Sequence, residues 1–263
     1  MTFFISCANF EEMNKYFLFL RMVFLTAATL LTLTVGMILL TLCSILTLGQ
    51  AKNFVIHTFS RFIGHLVLFF AGVKVKFERI GAPVNRPAIF ISNHSSTLDI
   101  FLIMTLGIPK VRYVAKYELL YNPLFAVMGA LTGQIFIKRQ DSERAVATLN
   151  RAYEKIRRQG LSLYVAPEGT RQESGKIGPF KKGAFRMAID LQYPVAPIHF
   201  AGARHLCPGK TLQVQPGTVI IRFYPAIDTS AWTLGNLDEQ MARIRQEYVR
   251  WEREYDEIFA AAE

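Results

Sequence analysis

A histidine and an aspartate five positions apart, His94 and Asp99, are the side chains of this sequence best suited to do chemistry together. Inside one helix that spacing would turn them ~140° apart around the axis. The surrounding residues do not read as one helix. Ala88-Ile89-Phe90-Ile91 is an apolar, β-branched run after the turn-forming Gly81-Ala82-Pro83 and Arg86-Pro87, a pattern that predicts a buried strand. Ser95, Ser96 and Thr97 then offer N-caps to an apolar helix over Leu98–Leu106. His94 therefore stands where a strand hands over to a helix, with Asp99 in that helix's first turn, and the imidazole can fold back onto the carboxylate. The pair would be an oriented proton acceptor with no serine between. A plainer use stays open here: His94 as a turn residue and Asp99 as an answer to the helix dipole.

The elements that must position this pair follow from periodicity. Strands are expected over Val73–Ile80, Ala88–Asn93, Val111–Ala115, Ile135–Lys138, Leu161–Ala166, Val195–Phe200 and Val219–Phe223. Helices are expected over Pro123–Leu131, Ser142–Gln159 and Lys182–Leu191. A last helix, opened by an Asn236-x-x-Glu239 cap, carries Leu237, Met241, Ile244, Tyr248, Trp251 and Tyr255 on one face. The fold class implied is α/β, a mostly parallel sheet flanked by helices on both faces. Ligands in such sheets collect beyond the carboxyl ends of the strands. Those ends hold His94, then Lys116, then Lys138-Arg139, then Pro167-Glu168-Gly169-Thr170-Arg171. One base, one carboxylate and several permanent cations along one edge suit proton abstraction beside a bound anion. Gly169 lets backbone approach a ligand, and Arg171 offers a fork for phosphate. Taken singly, each of these residues is also compatible with a solvated turn. Lys176, Lys181 and Lys182 read either as a headgroup-facing basic loop or as plain surface.

The 263 residues carry 30 Lys+Arg against 20 Asp+Glu, a formal charge of +10 that suits anionic partners. Cys7, Cys43 and Cys207 are scattered and odd in number, which argues against a disulfide framework and a zinc site. No P-loop, GxGxxG, GxSxG or HExxH occurs. An interleaved basic–aromatic patch is missing too, so nucleic acid is not an expected partner. Met22–Gly49 is free of charge, long enough for a transmembrane helix that tilts, bends near Gly36 or turns back. Lys52–Ala71 is amphipathic, fit to lie in a membrane interface or to dock on the domain that follows. Residues 1–72 are thus expected as a membrane region and 73–263 as a separate domain. The modest excess of Lys and Arg after the apolar run places that domain on the cytoplasmic side.

Together these blocks resemble the lysophospholipid acyltransferase family over most of residues 73–225. Asn93–Asp99 resembles its HxxxxD block, Gly133–Arg139 its second block, Pro167–Arg171 its acceptor-phosphate block and Val195–Ile198 its apolar fourth block. Ala166 departs from the aromatic more usual before the Pro-Glu. The resemblance implies acyl transfer from a thioester, acyl-CoA or acyl carrier protein, to a lysophospholipid, foremost 1-acylglycerol-3-phosphate giving phosphatidic acid. It implies His94 and Asp99 as catalytic residues, and Lys116, Arg139, Glu168, Gly169, Thr170 and Arg171 as substrate-binding ones. No cofactor or metal is expected beyond the acyl thioester as co-substrate. Membrane phospholipids are the expected surroundings, with a bacterial inner membrane as the location. Lys116 and the backbone N–H groups near His94 stand as rival oxyanion donors. Two competing functions stay open: acylation of another lyso-lipid, such as a lyso-ornithine lipid or lysophosphatidylethanolamine, and non-catalytic binding to anionic lipid.

Overall fold

The computed structural model describes residues 2–48, 50, 52–138, 142–171, 176–209 and 211–260. Helix α1 (Thr2–Leu46) comes first, then α2 (Lys52–Phe54), a π-helical turn (Val55–Phe59) and α3 (Ser60–Phe70). The sheet region follows as β1 (Val73–Arg79), β2 (Ile89–Ser92), α4 (Asp99–Thr105), β3 (Val111–Lys116), a 3₁₀ turn (Tyr117–Tyr121), α5 (Pro123–Thr132) and β4 (Ile135–Ile137). The chain continues through α6 (Ser142–Gln159), β5 (Ser162–Val165), α7 (Lys182–Leu191), β6 (Val195–Ala201), α8 (Ala203–Leu206), β7 (Gly217–Phe223) and α9 (Leu237–Ala260).

Seven strands form one sheet in the order β1-β7-β6-β2-β5-β3-β4. Every neighbouring pair is parallel except β6 with β7. Strands β2 to β6 therefore end along one edge, which is what brings scattered sequence blocks together. Strands β2, β5 and β6 are buried along their whole length, as expected of parallel strands covered on both faces. On one face, α6, α7 and α9 bury Leu149, Tyr153, Ile156, Phe185, Met187, Ile244, Tyr248 and Trp251 against the sheet. On the other, α3, α4 and α8 bury Leu68, Leu102, Leu106, Ala203 and Leu206.

The expected strands and helices all form, with small shifts at their ends. Two caps differ. Ser96 Oγ accepts the Leu98 N–H at 3.1 Å, and the cap position itself is Leu98. Asn236 turns its Oδ1 back to the Thr233 N–H at 2.9 Å.

Helix α1 continues unbroken through Gly36 to Leu46. Among the described residues, Phe19–Leu46 is the helix long and apolar enough to cross a membrane. At 1.5 Å per residue it extends ~42 Å. Leu30, Leu31, Val35, Ile38, Leu42 and Leu46 are exposed along it. The amphipathic segment has one buried and one exposed face. Ile63, Gly64, Val67 and Leu68 of α3 are buried, whereas Phe62 and Phe69 are exposed. Gly64 makes the α3–α4 contact possible. A Cβ there would lie 2.8 Å from Met104 Cβ and 2.9 Å from the Phe101 carbonyl oxygen.

Helix α9 is tied to the sheet by polar as well as apolar contacts. Buried His199 of β6 meets Glu252 at 2.7 Å, Arg204 pairs with Glu252 and Asp256, and His205 meets Asp256 at 2.9 Å. The Tyr248 hydroxyl lies 2.9 Å from the Ile91 carbonyl oxygen and 3.1 Å from that of Ile198. It bridges β2, one residue before that strand ends, and the middle of β6.

Candidate active site

Asn93 closes strand β2 and fixes the start of the site. Its Oδ1 accepts the Phe200 N–H of β6 at 2.8 Å, so the chain leaves the sheet in a set direction. The next residue, His94, points its Nδ1 at Asp99 Oδ2, 2.8 Å away. The same carboxylate oxygen accepts the Ser96 N–H at 3.0 Å. Asp99 is fully buried, while the His94 side chain is 26% exposed. A carboxylate on Nδ1 holds the proton there and leaves the Nε2 lone pair facing outward. Among the described residues, no hydrogen-bond partner is found at Nε2.

Two further residues seal the loop between β2 and α4. Ser96 Oγ donates to the Cys207 carbonyl oxygen at 2.7 Å, and Thr97 Oγ1 to that of Thr211 at 2.7 Å. Thr97 Oγ1 also accepts from Arg171 at 2.8 Å. The Arg171 guanidinium, half-buried, is thus anchored on the loop that carries His94, although 77 residues separate the two in sequence.

Glu168 behaves differently from the substrate ligand expected of it. It is buried, its Oε1 accepts the His94 N–H at 2.7 Å, and its Oε2 accepts the Gly178 N–H at 2.7 Å. Both carboxylate oxygens are engaged by backbone, which makes the side chain a strut between two loops. Burial raises its pKa from 4.5 to about 6, against the pull of those two N–H groups and of His94. Gly169 adopts φ +74°, a turn that costs a residue with a Cβ far more than glycine. Thr170 is exposed beside it.

Lys116 ends β3, two strands from β2 across β5, so ~10 Å away at the usual strand spacing. It is 45% exposed and 3.5 Å from Glu118. Lys138 stacks over the Tyr117 ring at 4.8 Å, next to the end of β3. Arg139 lies outside the described residues. Around His94 the backbone donors are mostly engaged: His94 N–H by Glu168, Ser96 N–H by Asp99, Leu98 N–H by Ser96 Oγ and Asp99 N–H by the Ser96 carbonyl.

Sequence reasoning missed three contributors. Thr97 was seen as a cap and serves as the dock for Arg171. Tyr248, on the apolar face of the last helix, also bonds carbonyls of β2 and β6. Arg245 of α9 donates to the Gly178 carbonyl at 2.8 Å and to that of Ile177 at 3.0 Å. A charge on the flank of an amphipathic helix gives no sequence signal for such a contact. A cleft of about 400 Å³ lies between Phe19, Met22 and Leu25 of α1 and the segment Leu212–Gln215. That segment follows directly on Thr211, whose carbonyl holds Thr97.

A family model described as Acyltransferase matches residues 73–201. A 1-acyl-sn-glycerol-3-phosphate acyltransferase of Limnanthes douglasii is 32% identical over 192 residues, covering 73% of this chain and 68% of that protein. The Saccharomyces cerevisiae enzyme of the same name is 32% identical over 187 residues, 70% of this chain and 62% of its own length. The crystal structure of the 1-acyl-sn-glycerophosphate acyltransferase PlsC from Thermotoga maritima superposes with a TM-score of 0.70 at 24% identity, over 88% of this chain and 97% of that one. The last likeness speaks to fold alone.

Proposed function

We infer the reaction from one premise: the chain belongs to the acyltransferase family that includes the 1-acyl-sn-glycerol-3-phosphate acyltransferases. It is an O-acyltransferase, and its acceptor by this reading is 1-acylglycerol-3-phosphate, which acylation turns into phosphatidic acid. The donor is a fatty acyl thioester, on coenzyme A or on acyl carrier protein. The observation that carries the mechanism is the 2.8 Å contact of His94 Nδ1 with buried Asp99.

In the proposed step the acceptor's free hydroxyl oxygen attacks the thioester carbonyl carbon while His94 Nε2 takes the hydroxyl proton. Asp99 keeps the ring in the tautomer that can accept there and stabilises the imidazolium as it forms. The tetrahedral intermediate collapses, the C–S bond breaks, and the imidazolium returns the proton to the departing thiolate. No enzyme nucleophile is needed, because the acceptor hydroxyl plays that part. Lys116 stabilises the oxyanion. Arg171, with Arg139, Gly169 and Thr170, holds the acceptor's phosphate and glycerol. Glu168 contributes by fixing the His94 backbone.

Residues 1–72 in this reading form the membrane region and 73–263 the catalytic domain. Helix α1 and the exposed phenylalanines of α3 enter the bilayer, so that both lipids reach the strand edge from the membrane. The catalytic domain faces the cytoplasm. The deciding experiment is acyl transfer in isolated membranes with His94→Ala: turnover should vanish, and near wild-type turnover would overturn the mechanism. Offering several lyso-lipids in competition tests the acceptor, since preference for one without a phosphate monoester would displace this reading.

A further inference from the structure

The contact that sets the His94 backbone does not end at Glu168. Glu168 Oε2 is bonded to the Gly178 N–H, and that N–H belongs to the same planar peptide unit as the Ile177 carbonyl. Arg245 donates to that carbonyl at 3.0 Å and to the next one, of Gly178, at 2.8 Å. A permanent cation on the oxygen side of a trans peptide polarises it, which strengthens donation from the N–H on the opposite side. The carboxylate that receives this donation is the one that holds the His94 N–H at 2.7 Å. Ile177 and Phe180 are buried, and Phe180 packs edge-on against Tyr248 one helical turn from Arg245, so this segment has little room to compensate. Arg245 also lies beyond the residues 73–201 that the family model matches.

We propose that Arg245, on the C-terminal helix, is a positioning residue for His94, acting through the Ile177–Gly178 peptide and Glu168. The inference rests on His94 being the base. It makes α9 part of the catalytic architecture, where apolar periodicity shows only one apolar face. The ionisable groups facing Glu168 are His94 and Asp99 from the β2–α4 side and Tyr248 from α9.

The test compares Arg245→Ala, Arg245→Lys and His94→Ala in the full-length membrane-embedded protein, with acyl-CoA as donor and 1-acylglycerol-3-phosphate as acceptor. Arg245→Ala should lower kcat about tenfold at pH 7.5 with acceptor KM within about twofold, since it touches no substrate. Weakening the Gly178 N–H bond also removes something that favours ionised Glu168. The acid limb of the pH–rate profile should therefore move up by about half to one pH unit. Arg245→Lys keeps the charge and reaches one carbonyl, so it should fall between wild type and Arg245→Ala on both readouts. It carries the test alone if Arg245→Ala does not accumulate as folded protein. In a Glu168→Gln background Arg245→Ala should cost little more, because the path is already cut. Wild-type kcat and acid limb in both variants, or a full additional loss in the Glu168→Gln background, would overturn the inference. Activity surviving in His94→Ala would instead strike at the base assignment, which keeps the two failures apart.

Discussion

Replacing Asp99 by Asn removes one charge from a fully buried site and changes almost no volume. In the wild type, Oδ2 accepts both His94 Nδ1–H, at 2.8 Å, and Ser96 N–H, at 3.0 Å. If the Asn carbonyl oxygen takes over this position, the tautomer survives and only the charge is lost. At an effective dielectric of 20, two unit charges at that separation attract by about 6 kcal/mol. A proton half transferred in the transition state would feel about half of that, or roughly 10²-fold in rate. If instead the Asn amide group faces Nδ1, the proton moves to Nε2 and the base is gone, with a loss near 10⁴-fold. The expected fall in kcat for Asp99→Asn is therefore between about 10² and 10⁴, with acceptor KM little changed. The assay is phosphatidic acid formation from radiolabelled acyl-CoA under saturating acceptor, alongside a thermal melt showing that the variant stays folded. A folded Asp99→Asn protein within about fivefold of wild-type kcat would refute the claim that the carboxylate steers the imidazole.

Arg171→Ala should raise acceptor KM by about tenfold and leave kcat nearly intact, because in the proposed complex its guanidinium meets the ligand's phosphate in ground and transition state alike; an unchanged KM would remove it from the acceptor site. Glu168 should make the protein more stable as pH falls from 7 to 4.5. Its folded pKa of about 6 lies above the ordinary 4.5, so over that window the folded state takes up a proton that the unfolded state does not. The gain is complete below the unfolded value and amounts to about 2 kcal/mol. Melting curves of wild type and Glu168→Gln across that range check it, and equal pH slopes would contradict the burial argument. Gly64→Ala should cost about 1–3 kcal/mol, because its Cβ would meet the Phe101 carbonyl oxygen at 2.9 Å. Melting in detergent several degrees below wild type is the expected result.

How much of this could be read from the chain depends on how local the cause is. The strand–helix alternation after Gly72 and the uncharged run before Gly49 are carried by neighbouring residues, and both produced the elements they announced. The His94–Asp99 pair was legible for the same reason: a strand end, a short polar loop and a helix start leave little freedom over five positions. The blocks at Lys116 and Pro167–Arg171 were legible as strand ends, since a parallel sheet aligns such ends whatever the strand order. The direction each side chain takes was not. Glu168 looked like a ligand for substrate, and only the packing of the 176–180 segment shows both its oxygens bonded to backbone. Thr97 found Arg171 across 74 positions, and Arg245 found a peptide 67 positions upstream. Such contacts depend on which loops the sheet order brings side by side, and on which polar groups burial then leaves in need of a partner. By itself the sequence determined the elements and the chemistry offered at their ends. The tertiary structure decided which of those groups remain open to a ligand and which are used up in holding the others still.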